Sequence, residues 1–408
     1  MRNIVVGQSG GPTAVINSSV AGVYKKAKEL GVKKVYGKVH GIEGFINDRL
    51  IDLDEYLKSE KNYELLKRTP SAFLGSCRYK LPEIAGNEEV YEKIFKNLEK
   101  YEIDALFYIG GNDSMDTIKM LSDYAKEHQK KVLFMGVPKT IDNDLPITDH
   151  CPGYGSAAKY IATSLKEIIR DNSSFDKTRQ TVCIVEIMGR HAGWLTAAAA
   201  LSKDDDCEGV DAIYLPEVDF DLDKFIKNIK ALAKKKSSIV IAVSEGIKTA
   251  DGKFVCELAA GDRKVDAFGH KQLSGCASTL AGIVAKETGL KTRAIEFSTL
   301  QRAATHLASL TDINEAEMVG MKAVEAADHG KTGMMVTIER KNTKKYASTT
   351  NVYDIHNIAN VEKKVPLEWI DVKNNQMKEE FINYAKPLII GELLPIFKDG
   401  LPVHLVRK

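Results

Sequence analysis

Two carboxylates stand two positions apart in the stretch PKTIDNDL, which directly follows the apolar run VLFMGV. Asp142 and Asp144, with the hydroxyl of Thr140 beside them, could divide the work of a general base and a metal ligand. An acidic turn with no chemical role is the alternative interpretation of the same residues. The stretch is therefore the first candidate for a site of proton transfer or metal binding.

Two glycine-containing turns also follow apolar runs, and each could cradle a phosphate group. GQSGGPTAVIN contains Gly10 and Gly11, whereas YIGGNDSMDT contains Gly111 and the carboxylate of Asp113. Glycine permits a tight turn and lets backbone N–H groups approach an anion. The first turn has an equally good structural explanation, and its spacing matches neither G-x-G-x-x-G nor the Walker A pattern. The ordinary dinucleotide-binding and P-loop interpretations are therefore disfavoured.

Charged side chains occupy four further stretches of the chain. Arg78 in LGSCRYKL could fork onto phosphate oxygens, although a surface arginine is the simpler explanation of this stretch alone. Glu245 in AVSEG ends a strand whose inner residues are nearly all apolar. The remaining charged candidates lie in VEIMGRHAGW and TRAIEFSTLQR, and they are Arg190, Arg293 and Arg302.

The elements that must position these residues alternate along the chain. Short apolar runs rich in β-branched residues alternate with amphipathic segments, which indicates β-α-β units and a mostly parallel sheet. The predicted strands are Asn3–Val6, Lys34–Val39, Ala105–Ile109, Lys131–Val137, Thr181–Met188, Ala212–Leu215, Ser238–Val243 and Arg293–Phe297. The predicted helices are Ala14–Leu30, Glu88–Tyr101, Ser114–Glu127, Ser156–Arg170, Asp223–Lys235 and Glu315–Asp328. Nearly all candidate residues follow strands, which in an open α/β sheet is where ligands bind.

Composition bounds the class of protein. The chain has 408 residues, 44% hydrophobic and 28% charged, which predicts a globular protein of about two domains. A net charge of +2 gives no argument for binding nucleic acid or an anionic membrane. Six irregularly spaced cysteines without a C-x-x-C pair suggest neither zinc nor disulfides. The first apolar run is too short for a signal sequence, so we expect a cytoplasmic protein.

At these residues the chain resembles the phosphofructokinases, glycolytic enzymes that transfer a phosphoryl group to the 1-hydroxyl of fructose 6-phosphate. The motifs keep the family's order from about Ile4 to about Arg302. The resemblance implies two Rossmann-like α/β domains with mostly parallel sheets and an active site in the interdomain cleft. It places residues 1–152 and about 301–350 in a phosphoryl-donor domain, and 153–300 and about 351–408 in a fructose 6-phosphate domain. It also implies a homodimer or homotetramer.

The resemblance also implies a role for each matching residue, with Mg²⁺ as the cofactor. Residues with a catalytic role are Asp142 as the base, Asp113, Lys139 and Arg190. Residues that bind the phosphoryl donor are Gly10, Gly11, Arg78 and Gly111. Residues that bind the sugar phosphate are Thr140, Asp142, Met188, Gly189, Arg190, Glu245, Arg293, Thr299 and Arg302. Candidate metal ligands are Asn112, Asp113 and Asp144.

Two substitutions indicate which donor is used. In ATP-dependent members of the family, the corresponding motif resembles G-G-D-G-S, with a glycine where this chain has Asp113. A carboxylate at this position would fill the space that a nucleotide's α-phosphate needs and would repel that phosphate. The same carboxylate could accept N–H bonds at the helix start in place of the α-phosphate. Their motif at the acidic turn resembles P-G-T-I-D-N-D, with a glycine where this chain has Lys139. Lys139 adds a positive charge beside the transferring phosphoryl group. Both changes point to the pyrophosphate-dependent branch; an ATP-dependent enzyme that tolerates Asp113 is the alternative.

Three positions depart from the family's pattern. Asn112 stands where a magnesium-binding aspartate is usual, and Thr299 replaces a histidine or tyrosine near the sugar phosphate. Thr181 replaces an arginine that reaches the 6-phosphate in bacterial relatives, a loss that Arg179 could repair. A weaker grip on that phosphate would admit sedoheptulose 7-phosphate as a second acceptor. The departures keep a non-catalytic sugar-phosphate-binding protein as an alternative of another class.

Overall fold

The structure is a computed structural model that describes residues 1–175, 180–259, 275–359 and 361–407. The strands of these residues are β1 (Asn3–Gln8), β2 (Lys34–Lys38), β3 (Leu50–Asp52), β4 (Ile103–Gly110), β5 (Leu133–Pro138), β6 (Thr181–Ile187), β7 (Ala212–Tyr214), β8 (Ser238–Ser244), β9 (Lys291–Glu296), β10 (Met334–Arg340), β11 (Ser348–Asp354), β12 (Ile370–Asp371), β13 (Gln376–Met377), β14 (Phe397–Lys398) and β15 (Leu401–Pro402). Their helices are α1 (Ile16–Glu29), α2 (Gly41–Ile46), α3 (Asp54–Leu57), α4 (Glu60–Lys67), α5 (Glu88–Lys100), α6 (Asn112–Glu127), α7 (Tyr154–Ser173), α8 (Trp194–Ala197), α9 (Leu222–Ala233), α10 (Cys276–Thr288), α11 (Leu300–Ala303), α12 (Leu310–Asp328) and α13 (Glu379–Ala385).

Two sheets carry the architecture. The first has seven strands in the order β11-β10-β5-β4-β1-β2-β3, and only its outer strands β11 and β3 pair antiparallel with their neighbours. The second has four parallel strands in the order β7-β8-β6-β9. The predicted fold class, α/β with mostly parallel sheets, is confirmed.

The central strands are buried on both faces, as parallel sheets covered by helices require. Every residue of β1 is buried, and its successive side chains enter different cores because a strand alternates its faces. Ile4 and Val6 pack with α1 and α12, whereas Val5 packs with α2, α5 and α6. Within the described ranges, no helix has both the length and the apolar character needed to cross a bilayer.

All eight predicted strands and all six predicted helices are present, with ends shifted by a few residues. The sequence missed β3, β10 and β11 of the first sheet. β3 has only three residues, and β11 is an antiparallel edge strand without a buried position, so its sequence lacks an apolar run. The helix α13 packs against the second core, where its Phe381 is fully buried.

The placement of β11 bears on the division into domains. Ser348–Asp354 belongs to the first sheet, and Leu405 near the chain's end packs against the first sheet's core. The segment with α13 instead packs against the core of the second sheet. The domain boundaries stay a proposal, in which β11 and Leu405 go with the donor half.

The loop after β5 is fixed to α12 through His150. Its Nδ1 lies 2.8 Å from Asp149 Oδ1, and its Nε2 lies 2.6 Å from Glu315 Oε2. Arg340 Nη2 also donates to Asp149 Oδ1 at 3.0 Å. Burial alone would lower the pKa of His150, but the carboxylates of Glu315 and Asp149 outweigh it and raise that pKa to about 9. The loop is therefore held by a buried imidazolium between two carboxylates.

This arrangement predicts a pH-dependent stability. Because the folded-state pKa of His150 lies above its ordinary value of 6.5, its stabilisation is complete below that value and is lost as pH rises through about 9. We expect the free energy of unfolding, measured in urea, to fall by on the order of 2–3 kcal/mol across this range.

The matched variants are His150→Gln and His329→Gln, because His329 is an exposed histidine at the end of α12. His150→Gln should be less stable near neutral pH and should flatten the pH dependence, whereas His329→Gln should retain it. An unchanged slope in His150→Gln would contradict this account.

Candidate active site

Most of the predicted site residues lie at the carboxyl ends of neighbouring parallel strands. In the first sheet they follow β1, β4 and β5, and in the second sheet they follow β6, β8 and β9. Parallel strands bring the residues after them to one edge of a sheet, which is where α/β proteins bind ligands. The edges of the two sheets meet, because Gly11 of the first lies against Arg302 of the second.

The acidic turn after β5 owes its shape to Asn143. This residue is fully buried and has a left-handed φ of 56°, a conformation that asparagine tolerates better than most residues. Its Oδ1 accepts a hydrogen bond from the Cys151 N–H at 2.9 Å, and Thr140 Oγ1 accepts one from the Asp142 N–H at 3.1 Å. These hydrogen bonds fix the backbone of the turn that carries Asp142 and Asp144.

The pKa values of the two carboxyl groups are both raised. Burial, and then the carboxylate of Asp144, raises the pKa of Asp142 to about 7, although Lys139 and Arg302 act in the opposite direction. Burial likewise raises the pKa of Asp144. A carboxyl group whose pKa lies near neutrality is suited to accept a proton from a hydroxyl.

Two cations from different sheets flank this pair. Lys139 is 3% exposed and its Nζ donates to the carbonyl oxygen of Gly11 at 2.8 Å, while burial lowers its pKa to about 8. Arg302 follows β9 in the second sheet, and a Cβ added to Gly11 would lie 2.8 Å from its Nη1. Any side chain at Gly11 would therefore displace Arg302. The predicted residues Gly11, Lys139, Asp142 and Arg302 are brought together.

The first glycine turn is tied to the loop that carries Arg78. Gly10 has a left-handed φ of 70°, its N–H donates to Cys77 O at 3.2 Å, and its carbonyl accepts from Ser76 Oγ at 2.6 Å. After burial, the charge of Arg78 is the next cause that lowers the pKa of Arg302, so the two guanidinium groups are neighbours. This turn, with Arg78 and Arg302, forms a concentrated positive region.

The second glycine turn opens α6, with Gly111 at its N-cap. Asn112 Oδ1 is buried and has no hydrogen-bond partner among the described residues. Asp113 is exposed and is the acidic residue of the first turn of α6. That its carboxylate accepts N–H bonds at the helix start stays a prediction, and its charge and volume are its other means of acting on a donor.

The turn after β6 and the end of β8 form the second half of the site. Gly189 has a φ of 138°, its N–H donates to Glu245 Oε1 at 3.2 Å, and its carbonyl accepts from Ser244 Oγ at 2.5 Å. Burial raises the pKa of Glu245 to about 7, and the charge of Asp142 contributes. Glu245 in the second sheet therefore faces Asp142 in the first.

Gly246 is a residue that sequence reasoning missed. A Cβ on Gly246 would lie 2.0 Å from the carbonyl oxygen of Arg190, so only glycine allows these two turns to meet. The glycine directly after the strand-ending Glu245 was the available signal.

Three predicted sugar-phosphate residues lie outside this cluster. Arg293 is three residues before the end of edge strand β9, is exposed, and lies 3.9 Å from Asp171 Oδ2. Thr299 is exposed before α11, and Met188 packs partly buried against the second core. Their predicted roles stay predictions, and Arg179 lies outside the described residues.

Lys363 and Tyr384, in the C-terminal segment, contact the acidic turn and the loop after it, and no sequence motif predicts these contacts. The Lys363 N–H donates to Asp144 O at 2.7 Å, and its Nζ donates to Asp149 O at 2.8 Å. Tyr384 Oη accepts from Asn143 Nδ2 at 2.8 Å and donates to Asp149 O at 2.8 Å. The acidic turn is thus held from a segment more than two hundred residues later in the chain.

The oxygen atoms of Asn112, Asp142 and Asp144 suit a hard cation. Asn112 Oδ1, with its unmet acceptor capacity, and the carboxylates of Asp142 and Asp144 are oxygen ligands, which Mg²⁺ prefers. No group of three or more His, Cys, Asp and Glu side chains in the described part of the chain is arranged to hold a metal ion. A magnesium site would therefore depend on the amide of Asn112 and on oxygens of the substrates.

Comparison with known proteins agrees with this geometry. A family model described as Phosphofructokinase matches residues 3–327. The pyrophosphate–fructose 6-phosphate 1-phosphotransferase of Halomonas elongata is 40% identical over 98% of this chain and 95% of that protein. The crystal structure of a pyrophosphate-dependent phosphofructokinase from Nitrosospira multiformis is similar with a TM-score of 0.88 and 37% identity, over 98% of this chain and 95% of that one.

An ATP-dependent relative is similar over less of the chain. The ATP-dependent 6-phosphofructokinase of Glaesserella parasuis is 35% identical over 71% of this chain and 84% of that protein. The family model covers most of the chain, and near-full-length relatives exceed 30% identity. This chain therefore belongs to the phosphofructokinase family.

Proposed function

We propose that this protein transfers a phosphoryl group from pyrophosphate to the 1-hydroxyl of fructose 6-phosphate, giving fructose 1,6-bisphosphate in a reversible step of glycolysis. The observation that carries the choice of donor is Lys139, whose buried ammonium binds the carbonyl of Gly11 beside Asp142. By the family resemblance, ATP-dependent members have a glycine at this position. The names of the near-full-length relatives support the same donor.

The residues divide the chemistry of phosphoryl transfer between them. Asp142 takes the proton of the 1-hydroxyl as that oxygen bonds to phosphorus and the bridging P–O bond breaks. Lys139, Arg78 and Arg302 neutralise the charge of the donor and of the departing phosphate. Glu245, fixed by the N–H of Gly189, is placed to bind sugar hydroxyls.

Magnesium belongs to the same proposal. Asn112, through its unpartnered Oδ1, and Asp144 would hold the ion, with Asp113 nearby at the exposed start of α6. When bound, the ion supplies positive charge that neutralises phosphate oxygens. Its neutral amide ligand binds a hard cation less strongly than a carboxylate would.

Assembly and location complete the proposal. The proposal includes a homodimer or homotetramer in the cytoplasm, without nucleic acid or membrane partners. The exposed position of Arg293 on edge strand β9 supports the assembly. An arginine that lies outside its own chain's cluster can bind a sugar phosphate only if a second copy brings a site to it.

The choice of donor can be tested through Asp113. We expect the wild type, assayed with fructose 6-phosphate and Mg²⁺, to use pyrophosphate and not ATP. Because Asp113 is exposed, its repulsion of an α-phosphate about 4 Å away is only about 1 kcal/mol, roughly a fivefold effect. The volume of the side chain must therefore exclude ATP more than its charge does.

Two variants separate volume from charge. Asp113→Gly should gain ATP-dependent activity, whereas Asp113→Asn, which keeps the volume, should gain little. Equal gains would show that charge is the gate, and ATP activity in the wild type would overturn the assignment of donor. Inactivity with both donors would favour the non-catalytic alternative.

The role of Asp142 is tested by Asp142→Asn. The amide keeps the shape of the side chain but accepts no proton, so we expect kcat to fall roughly 10²–10⁴-fold with little change in the KM for pyrophosphate. Asp223→Asn, an exposed substitution in the first turn of α9, is the control and should leave both constants unchanged. A kcat within a few-fold of the wild type would exclude Asp142 as the base.

A further inference from the structure

The side chain of Lys38, the last residue of β2, crosses the neighbouring strand β1. The register pairs Gly7 of β1 with Lys38 on one side and with Tyr108 of β4 on the other. A Cβ on Gly7 would lie 2.1 Å from Lys38 Cε, so the lysine can pass only over a glycine. Its Nζ ends 3.6 Å from the centre of the Tyr108 ring. The side chain of Lys38 therefore extends from β2 across β1 to β4.

This ammonium is buried without a hydrogen-bond partner. Lys38 is 0% exposed, and its Nζ has no such partner among the described residues. Lysine is among the residues least often fully buried, because a desolvated charge is costly, and the face of an aromatic ring compensates only in part. Burial lowers the pKa of Lys38 to about 7. A leucine or methionine in this place would stabilise the fold better, so the charge calls for a functional explanation.

The position of Lys38 relative to the first glycine turn supplies that explanation. Gly7 lies three residues before Gly10. Tyr108 Oη lies 3.6 Å from Cys77 Sγ, and the carbonyl of Cys77 accepts the hydrogen bond from the Gly10 N–H. Lys38 is therefore linked to the turn by a short chain of contacts through Tyr108 and Cys77. Lys38 and Tyr108 are both buried, and a charge among buried groups is weakly screened.

We propose that the ammonium of Lys38 is a counter-charge for the phosphoryl donor, which acts through the Gly10 turn without touching the ligand. This inference rests on the proposed function, because pyrophosphate is the anion assigned to that turn. Lys38 is thus a positioning residue: it biases the donor half of the site toward a compact, highly charged anion. Burial disfavours the ammonium form of Lys38 in the unliganded fold, and a bound anionic donor favours it.

The test is Lys38→Met, which keeps the length and volume of the side chain and removes the charge. We expect the KM for pyrophosphate to rise about tenfold at saturating fructose 6-phosphate and Mg²⁺, and the KM for fructose 6-phosphate to stay within about twofold. We also expect the ligand-free variant to have a higher Tm than the wild type. The rise of Tm on adding pyrophosphate, which requires no turnover, should be smaller in the variant.

Tyr108→Phe is the matched control, because it perturbs the same cluster without changing a charge. Removing its hydroxyl takes the partner from the Ile42 N–H, which donates to it at 3.1 Å, so this variant should lose stability. It should keep both KM values. The two variants are thus expected to move stability in opposite directions, and only Lys38→Met should weaken the donor.

Other results would overturn the inference. An unchanged KM for pyrophosphate in Lys38→Met, with an active wild type, removes the inference and leaves the proposed function intact. A lower Tm or failure to fold in Lys38→Met would show that the ammonium stabilises the fold, which also removes it. A wild type that does not use pyrophosphate removes the proposed function itself.

Discussion

The structure depends on keeping two carboxylates and two cations together where two sheets meet. Asp142 and Asp144 come from one turn, Lys139 from the same loop, and Arg302 from the second sheet. Each buried charge is costly alone and is tolerated only with its partners in place. The first sheet cannot complete this balance, because it lacks Arg302. The position of the second sheet relative to the first is therefore part of the active site.

Several contacts fix that relative position. Asp312, at the start of α12, accepts the N–H groups of Gly153 and Ser156 at 2.8 Å each, and so caps α7 where the chain enters the second half. The C-terminal segment holds the acidic turn through Lys363 and Tyr384. Support from distant segments converts the turn into a rigid element.

The sequence predicted the strands and the residues after them, because buried parallel strands are apolar runs and their carboxyl ends converge. It therefore located Gly11, Lys139, Asp142 and Arg302 correctly as members of one cluster. It could not predict Lys363 or Tyr384, since their contacts join positions far apart in the chain and leave no local pattern. Within K-V-Y-G-K, the final lysine looks like an ordinary polar strand end, and only the absence of a side chain at Gly7 makes its burial possible.

Buried polar atoms without partners lie on both sides of the site. On the second sheet's side, Glu245 accepts the N–H of Gly189, whereas Glu217 Oε2, beside Gly193, has no hydrogen-bond partner among the described residues. In the donor half, Asn112 Oδ1 and Lys38 Nζ are buried without partners among the described residues, the first an acceptor suited to a cation and the second a charge suited to an anion. Buried polar groups are normally satisfied, so each of these two atoms marks a place where the free protein leaves its polar groups incomplete. The two differ in how they respond to a ligand: an amide oxygen bonds directly to a cation, whereas the buried ammonium of Lys38 responds to an anion only through its charge.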